Sequence, residues 1–213
     1  VKLVLVAATG RIGRLALDQA VAAGHDVTAV ARRPDGLPVP VVAVDFTRPD
    51  LDALADAMAG ADAVVSALGP RSRSEDGIVS TGTRALTTAM ATAGVRRLVA
   101  VSVAGIAMRE GEDRDPGAGW FTRNVLGRLA QARLGTHYAD IATTHDLLRR
   151  NDLDWTTIGC PLLTDRPATG DYRVAYDHPV RGGWRISRAD AAACLLATIT
   201  RPDTFRRNLA IAH

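Results

Sequence analysis

The chain begins V-K-L-V-L-V-A-A-T-G-R-I-G (1–13), and the reading of this stretch decides the fold. The apolar run at 2–7 is too short for a helix and ends in small residues and glycine, as a buried strand does. Residues 11–23 place Ile12, Leu15, Ala16 and Ala20 at helical spacing and stop at Gly24, a C-cap position. The turn between strand and helix has brought its backbone up to something. Gly10 lets a ligand come close, and Gly13 lets the helix lie close to the strand. The free N–H groups at the helix start then face an anion, most naturally a pyrophosphate. Ala8, Thr9, Gly10, Arg11, Ile12 and Gly13 are therefore the first cofactor-binding candidates. The glycine pattern alone is weak, since its first position is Ala7 and a turn without a ligand would read much the same. Its place after a strand, opening a helix in a βαβ unit of the right length, favours the dinucleotide.

Working outward, strands at 25–31, 40–44, 61–68, 96–103, 153–158 and 208–212 alternate with helices at 51–59, 77–93, 119–132, 137–150 and 188–199. This order predicts an α/β fold: a doubly wound parallel sheet of the Rossmann-like kind, with residues 1–213 as a single NAD(P)-binding domain. No linker or internal repeat interrupts it. The one long polar stretch, 104–118, follows the fifth strand's C-terminal end, where open α/β sheets hold their ligands. It is expected to act as a mobile lid, with segments 104–135 and 160–185 forming the substrate pocket.

The second strand sharpens the ligand. In an NAD-binding unit an acidic residue stands ~20 residues after the glycines and bonds the ribose 2′-hydroxyl. Here that place reads Val30-Ala31-Arg32-Arg33. Guanidinium groups pair with a 2′-phosphate through charge-assisted bonds. Two arginines in a loop could simply be exposed, but at this strand end they favour NADPH. Asp45 and Phe46, past the third strand, are expected beside the adenine. Ala67, Leu68 and Gly69, past the fourth, are expected along the path to the nicotinamide.

Composition narrows the remaining classes. The chain has 213 residues, 47% of them hydrophobic, enough for a sizeable core. No apolar run approaches the ~20 residues of a membrane span, and no basic leader opens the chain. The two cysteines, Cys160 and Cys194, form no disulfide framework, which suits a reducing compartment, so a cytoplasmic protein is expected. The net charge of +3 comes with arginines in scattered pairs, so neither nucleic acid nor a membrane is expected as a partner. A small molecule is the expected partner, with the chain a monomer or weak homodimer.

The same residues resemble the NAD(P)H-binding atypical short-chain dehydrogenase/reductase family, the NmrA-like and flavin reductase group, and most closely its biliverdin-IXβ reductase/flavin reductase branch. A-A-T-G-R-I-G is similar to the family's G-A-T-G-x-x-G. A-R-R-P, V-D-F, V-S-A-L-G, V-A-V-S-V-A-G, L-L-R-R-N-D-L-D-W-T-T-I-G-C-P and I-S-R-A-D follow in the family's order. The resemblance covers nearly the whole chain. It implies a single-domain Rossmann fold, a preference for NADPH (NADP), and hydride transfer to a flat conjugated acceptor such as a flavin. It also implies that Ser102, Val103, Cys160, Pro161 and Leu162 lie by the nicotinamide and acceptor, with Ser102 and His145 as catalytic candidates. Three positions depart from the family. Val103 stands in the place of a substrate-facing serine, Cys160 replaces the arginine of the usual R-P, and Leu162 replaces the flavin reductases' histidine, so the acceptor pocket is more apolar.

The chemistry can also be narrowed from the residues alone. The Tyr-x-x-x-Lys proton donor of better-known short-chain dehydrogenases is absent: Tyr138, Tyr172 and Tyr176 are followed four residues later by Ala142, Tyr176 and Val180. Lys2, the only lysine, lies in the first strand. The five histidines make no metal-ligand spacing, so no metal is expected. G-x-S-x-G is missing, so a hydrolase elbow has no support. What remains is hydride transfer by proximity to an acceptor whose proton arrives from solvent. His145 shares an inward helix face with Ile141 and Leu148. It reads either as a buried histidine bonded to backbone or as a proton relay. Trp120 and Phe121 are either core or a stacking surface. Two other readings stay open: a non-catalytic NADP(H) sensor of the NmrA kind, and an NADP-dependent isomerase or epimerase.

Overall fold

The computed structural model describes residues 1–33, 36–72, 75–104 and 127–213, with backbone alone over 127–136. All of the lid expected at 104–118 except Ala104, the start of the helix expected at 119–132, and Trp120 and Phe121 lie outside the described residues.

The chain runs β1 (Lys2–Val6), α1 (Arg11–Ala22), β2 (Asp26–Ala31), β3 (Val41–Ala43), α2 (Leu51–Met58), β4 (Ala63–Ser66), α3 (Ile78–Ala93), β5 (Arg97–Val103), α4 (Gly127–Arg149), β6 (Asp154–Cys160), β7 (Leu162–Thr164), β8 (Arg173–Tyr176), β9 (Arg185–Ser187), α5 (Arg188–Thr198) and β10 (Arg207–Ala212). Eight strands form one sheet in the order β3-β2-β1-β4-β5-β6-β10-β8. All neighbours in it are parallel except β8, which runs antiparallel to β10 with Ala210 opposite Ala175. β7 and β9 form a separate parallel pair, Leu163 opposite Ile186.

The period-two pattern of β1 explains the two layers. Leu3 and Leu5 point to one face and pack with α1 and α5 through Ala16, Leu17, Ala191 and Leu195. Val4 and Val6 point to the other and pack with α2, α3 and α4 through Leu54, Leu86, Met90 and Leu148. Strands buried on both faces read as continuous apolar runs, as β1 does. Two local devices fix the helices on the sheet. Asp50 caps α2 by accepting the Ala53 N–H at 3.0 Å. Asp140, buried on α4, accepts the N–H groups of Val79 and Ser80 at 3.0 and 2.9 Å, so one helix caps the start of another.

The structure departs from the sequence reading in three places. Two helices were expected at 119–132 and 137–150, whereas α4 is continuous from Gly127 to Arg149. Gly135 in its interior costs only about 1 kcal/mol relative to alanine, less than a break would. The sheet was expected to be wholly parallel, and β8 makes one antiparallel edge. β7, β8 and β9 themselves fall in a polar, proline- and glycine-containing stretch of only three or four residues each, too short for period-two alternation to register.

Candidate functional site

Glycine and strain shape the turn after β1. Ala7 has φ 60°, in the left-handed region that a residue with a Cβ adopts at a cost of ~1–2 kcal/mol. It is held there by its N–H on Val30 O at 2.8 Å and by its carbonyl, which accepts the Gly10 N–H at 2.8 Å. A Cβ on Gly13 would stand 2.1 Å from Ala7 O, so only glycine allows α1 to start this close to β1. Gly10 is the N-cap residue of α1 and has no side chain to satisfy the first-turn N–H groups. A ligand anion is a natural partner for such donors.

The turn opens into a cleft of about 610 Å³ across the C-terminal ends of β1, β2, β4, β5 and β6. Thr9, Gly10, Arg11, Ile12, Arg32, Asp45, Phe46, Ala67, Leu68, Gly69, Ser102, Val103, Cys160 and Pro161 all line it. These fourteen sequence candidates come from six separate places in the chain, and the fold brings them to one cleft. Gly82 on α3 permits the same closeness beside Leu68 and Phe46, since a Cβ there would meet Leu68 Cδ2 at 2.2 Å.

Four candidates fall elsewhere. Leu162 is 71% exposed and lies outside the lining; its neighbour Leu163 faces the cleft, because successive residues of β7 point to opposite sides. Arg33 is exposed and is not part of the cleft's lining, so of the pair it is Arg32 that reaches the cleft. Ala8 is fully buried in the core beside α1, and Gly13 contributes the helix-to-strand contact rather than a wall.

Charge in the cleft is arranged in pairs. Arg32 Nη1 lies 2.9 Å from Glu75 Oε1. Glu75 Oε2 accepts the Arg71 N–H at 2.8 Å, and Arg71 Nη2 donates to Thr9 Oγ1 at 2.9 Å. At the other end Asp165 pairs with both Arg11 and Arg188, the latter at 2.7 Å. Asp45 is held by the N–H and hydroxyl of Thr47, which keep its carboxyl below the usual range. Arg71, Glu75, Arg188 and His137 also line the cleft and were missed in the sequence. No local motif marks them; they become neighbours only through the crossovers.

The cleft is apolar at Val103, Ile141, Cys160 and Leu163. Ser102 sits on its wall, and its Oγ is 2.9 Å from His145 Nε2. His145 is 1% exposed and does not line the cleft, so it reaches the site only through Ser102. Among the described residues its Nδ1 has no hydrogen-bond partner. Burial first, and then the charge of Arg149, push its pKa down to about 4, against smaller opposing effects of Asn208 and Asp146. The histidine bonded to backbone that the sequence suggested is thus a histidine bonded to a serine side chain. The Cys160 thiol is pushed up to about 12 by burial and by Cys194, so it stays protonated and is no nucleophile. No group of metal-binding side chains exists among the described residues. No helix among them is long and apolar enough to cross a membrane.

Solved structures share this architecture. A protein from Burkholderia pseudomallei described as exported is 27% identical, with a TM-score of 0.79 over 100% of this chain and 99% of that one. A proposed NADH-flavin reductase from Streptococcus pneumoniae is 23% identical, with a TM-score of 0.79 over 100% and 99%. A proposed NAD-dependent epimerase/dehydratase from Bacillus halodurans is 18% identical, with a TM-score of 0.77 over 100% and 94%. The fold is therefore Rossmann-like. Uncapped helix donors over a glycine turn and a cleft along the strand ends suit a dinucleotide, and a family model matches residues 7–202: the chain belongs to the NAD(P)H-binding family.

Proposed function

We propose that the chain is an NADPH-dependent oxidoreductase that passes a hydride to a flat conjugated acceptor, a flavin or quinone. The observation that carries this reading is the cleft itself: donor-rich from Arg32 to the start of α1, and walled mainly by apolar side chains from Leu68 to Cys160, where His145 stays behind the wall and the Cys160 thiol stays protonated. The residues fit the cofactor. Arg32 would meet the 2′-phosphate, the N–H groups of α1 and Arg11 the pyrophosphate, and Phe46 the adenine.

A reduced nicotinamide, when bound, supplies the hydride. The protein's own part is position and exclusion of water. Val103, Ile141, Cys160 and Leu163 give the reacting end apolar walls, which hold a flat ring and keep solvent away. Ser102 offers a hydroxyl that can bond an acceptor heteroatom, and His145 fixes that hydroxyl's orientation from behind. A flavin or quinone takes up its proton from solvent, so no strong protein acid is needed; reduction of an ordinary ketone would need one.

Steady-state oxidation of NADPH with a panel of flavins and quinones tests the reading, with Gly10→Val as control. A Cβ on Gly10 would stand 3.1 Å from Ala7 O, and a branched side chain there blocks the approach to α1. Turnover by the wild type, lost in a folded Gly10→Val protein, is expected. Tight NADPH binding without oxidation by any acceptor would point instead to a redox sensor.

A further inference from the structure

The cleft holds a carboxylate that an NADPH site does not ask for. Glu75 is engaged at both oxygens, with Arg32 Nη1 at 2.9 Å and the Arg71 N–H at 2.8 Å. Its side chain is 15% exposed, against 37% for Arg32, so it is the more enclosed member of the pair. Arg71 carries the chain of contacts on to Thr9 in the glycine turn, which fixes the segment bearing Glu75 over the cleft. Asp45 lies close enough to Arg32 to feel its charge as well. Arg32 therefore has part of its charge answered by the protein.

We propose that Glu75 is a specificity-determining residue that competes with the cofactor's 2′-phosphate for Arg32. The proposal rests on reading the cleft as a dinucleotide site. A phosphate monoester carries close to two negative charges near neutral pH. It must either displace the Glu75 carboxylate from Arg32 or sit beside it, and both are unfavourable. A ribose 2′-hydroxyl is uncharged and meets neither penalty. Glu75 thus narrows the margin between NADPH and NADH that Arg32 would give by itself, and the protein accepts both forms more evenly than an arginine at this position implies.

The test is a set of equilibrium titrations with NADPH, NADH and the fragment 2′,5′-ADP. The proteins are wild type, Glu75→Gln, Arg32→Ala and the double variant. Glutamine can still accept the Arg71 N–H, so the anchoring of the segment is kept. Glu75→Gln is expected to tighten NADPH and 2′,5′-ADP about three- to tenfold and to leave NADH within about twofold. The gain should vanish when Arg32 is alanine. An unchanged NADPH-to-NADH ratio overturns the proposal while leaving the dinucleotide reading in place. A selective loss of NADH also overturns it, because Glu75 would then be receiving the ribose hydroxyl. Failure of both dinucleotides to bind wild type and variants alike defeats the dinucleotide reading, and the role of Glu75 with it.

Discussion

His145 Nε2 lies 2.9 Å from Ser102 Oγ, and the histidine stands behind the cleft wall that the serine forms. Burial and the Arg149 charge hold its pKa near 4, below the ordinary 6.5. The unfolded chain takes up a proton as pH falls through 6.5, and the folded chain does so only near 4. His145 therefore contributes stability that is present above pH 6.5 and is lost between there and pH 4, on the order of 2–4 kcal/mol. Denaturant unfolding of wild type and His145→Gln at pH 7 and 4.5 should show a smaller loss on acidification in the variant. An equal loss in both would mean that His145 is not held neutral by the fold.

The same geometry sets the pH dependence of turnover. A histidine already neutral above pH 5 leaves no inflection near neutrality in the rate profile. NADPH oxidation by His145→Gln, measured from pH 5.5 to 8.5, should fall modestly and keep its profile. Loss beyond about a hundredfold, together with disappearance of a near-neutral pKa, would make His145 the proton donor.

Strain at the glycine turn gives a pair of opposite effects. Ala7 holds φ 60° without being glycine, so Ala7→Gly should relieve ~1 kcal/mol and raise Tm by about 2–4 °C. Gly13→Ala places a methyl 2.1 Å from Ala7 O. It should destabilise by about 1–3 kcal/mol and shift the start of α1 away from the cleft, weakening NADPH binding as well. Thermal and denaturant unfolding decide both; a destabilising Ala7→Gly would show that the turn is not strained.

Asp190 anchors the far side of the cleft's support. Its buried carboxylate accepts the N–H groups of Thr169 and Gly170 at 2.9 Å each and the Ser187 hydroxyl at 2.7 Å, and pairs with His213 at 3.2 Å. Burial alone would raise its pKa, but these donors outweigh it and the net shift is downward. Its contribution is therefore present above the unfolded value of 3.8 and lost as pH falls through the folded one. Asp190→Ala strands these partners and should cost about 3 kcal/mol in denaturant unfolding at pH 7. A cost below about 1 kcal/mol would show the network to be dispensable.

How much of this was legible in the sequence depends on the range over which each feature is encoded. β1, the glycine turn and α1 are local, and apolar period and small residues announce them directly. Arg32 was legible for the same reason, since it ends a strand whose position the turn fixes. Its partner Glu75 is 43 residues away, and nothing in the sequence around it signals a charge pair. Arg188 and Asp165 meet only because β7 and β9 pair. Leu162 was misplaced because facing is decided by the register of a three-residue strand, and one residue of offset turns a side chain from wall to solvent. The exchange of a backbone partner for Ser102 at His145 was equally invisible, as it depends on where α4 lies over β5.

Titration of NADPH and NADH against wild-type, Arg32→Ala and Arg33→Ala proteins tests most directly whether the cleft is an NADPH site read by the end of β2. NADPH should bind more tightly than NADH to the wild type. Arg32→Ala should weaken NADPH by about ten- to a hundredfold, the loss of a charge-assisted pair worth ~1.5–3 kcal/mol, and leave NADH nearly unchanged. Arg33→Ala, exposed and outside the lining, should leave both nearly unchanged. Equal wild-type affinities for the two cofactors, or an NADPH affinity indifferent to Arg32→Ala, would contradict it.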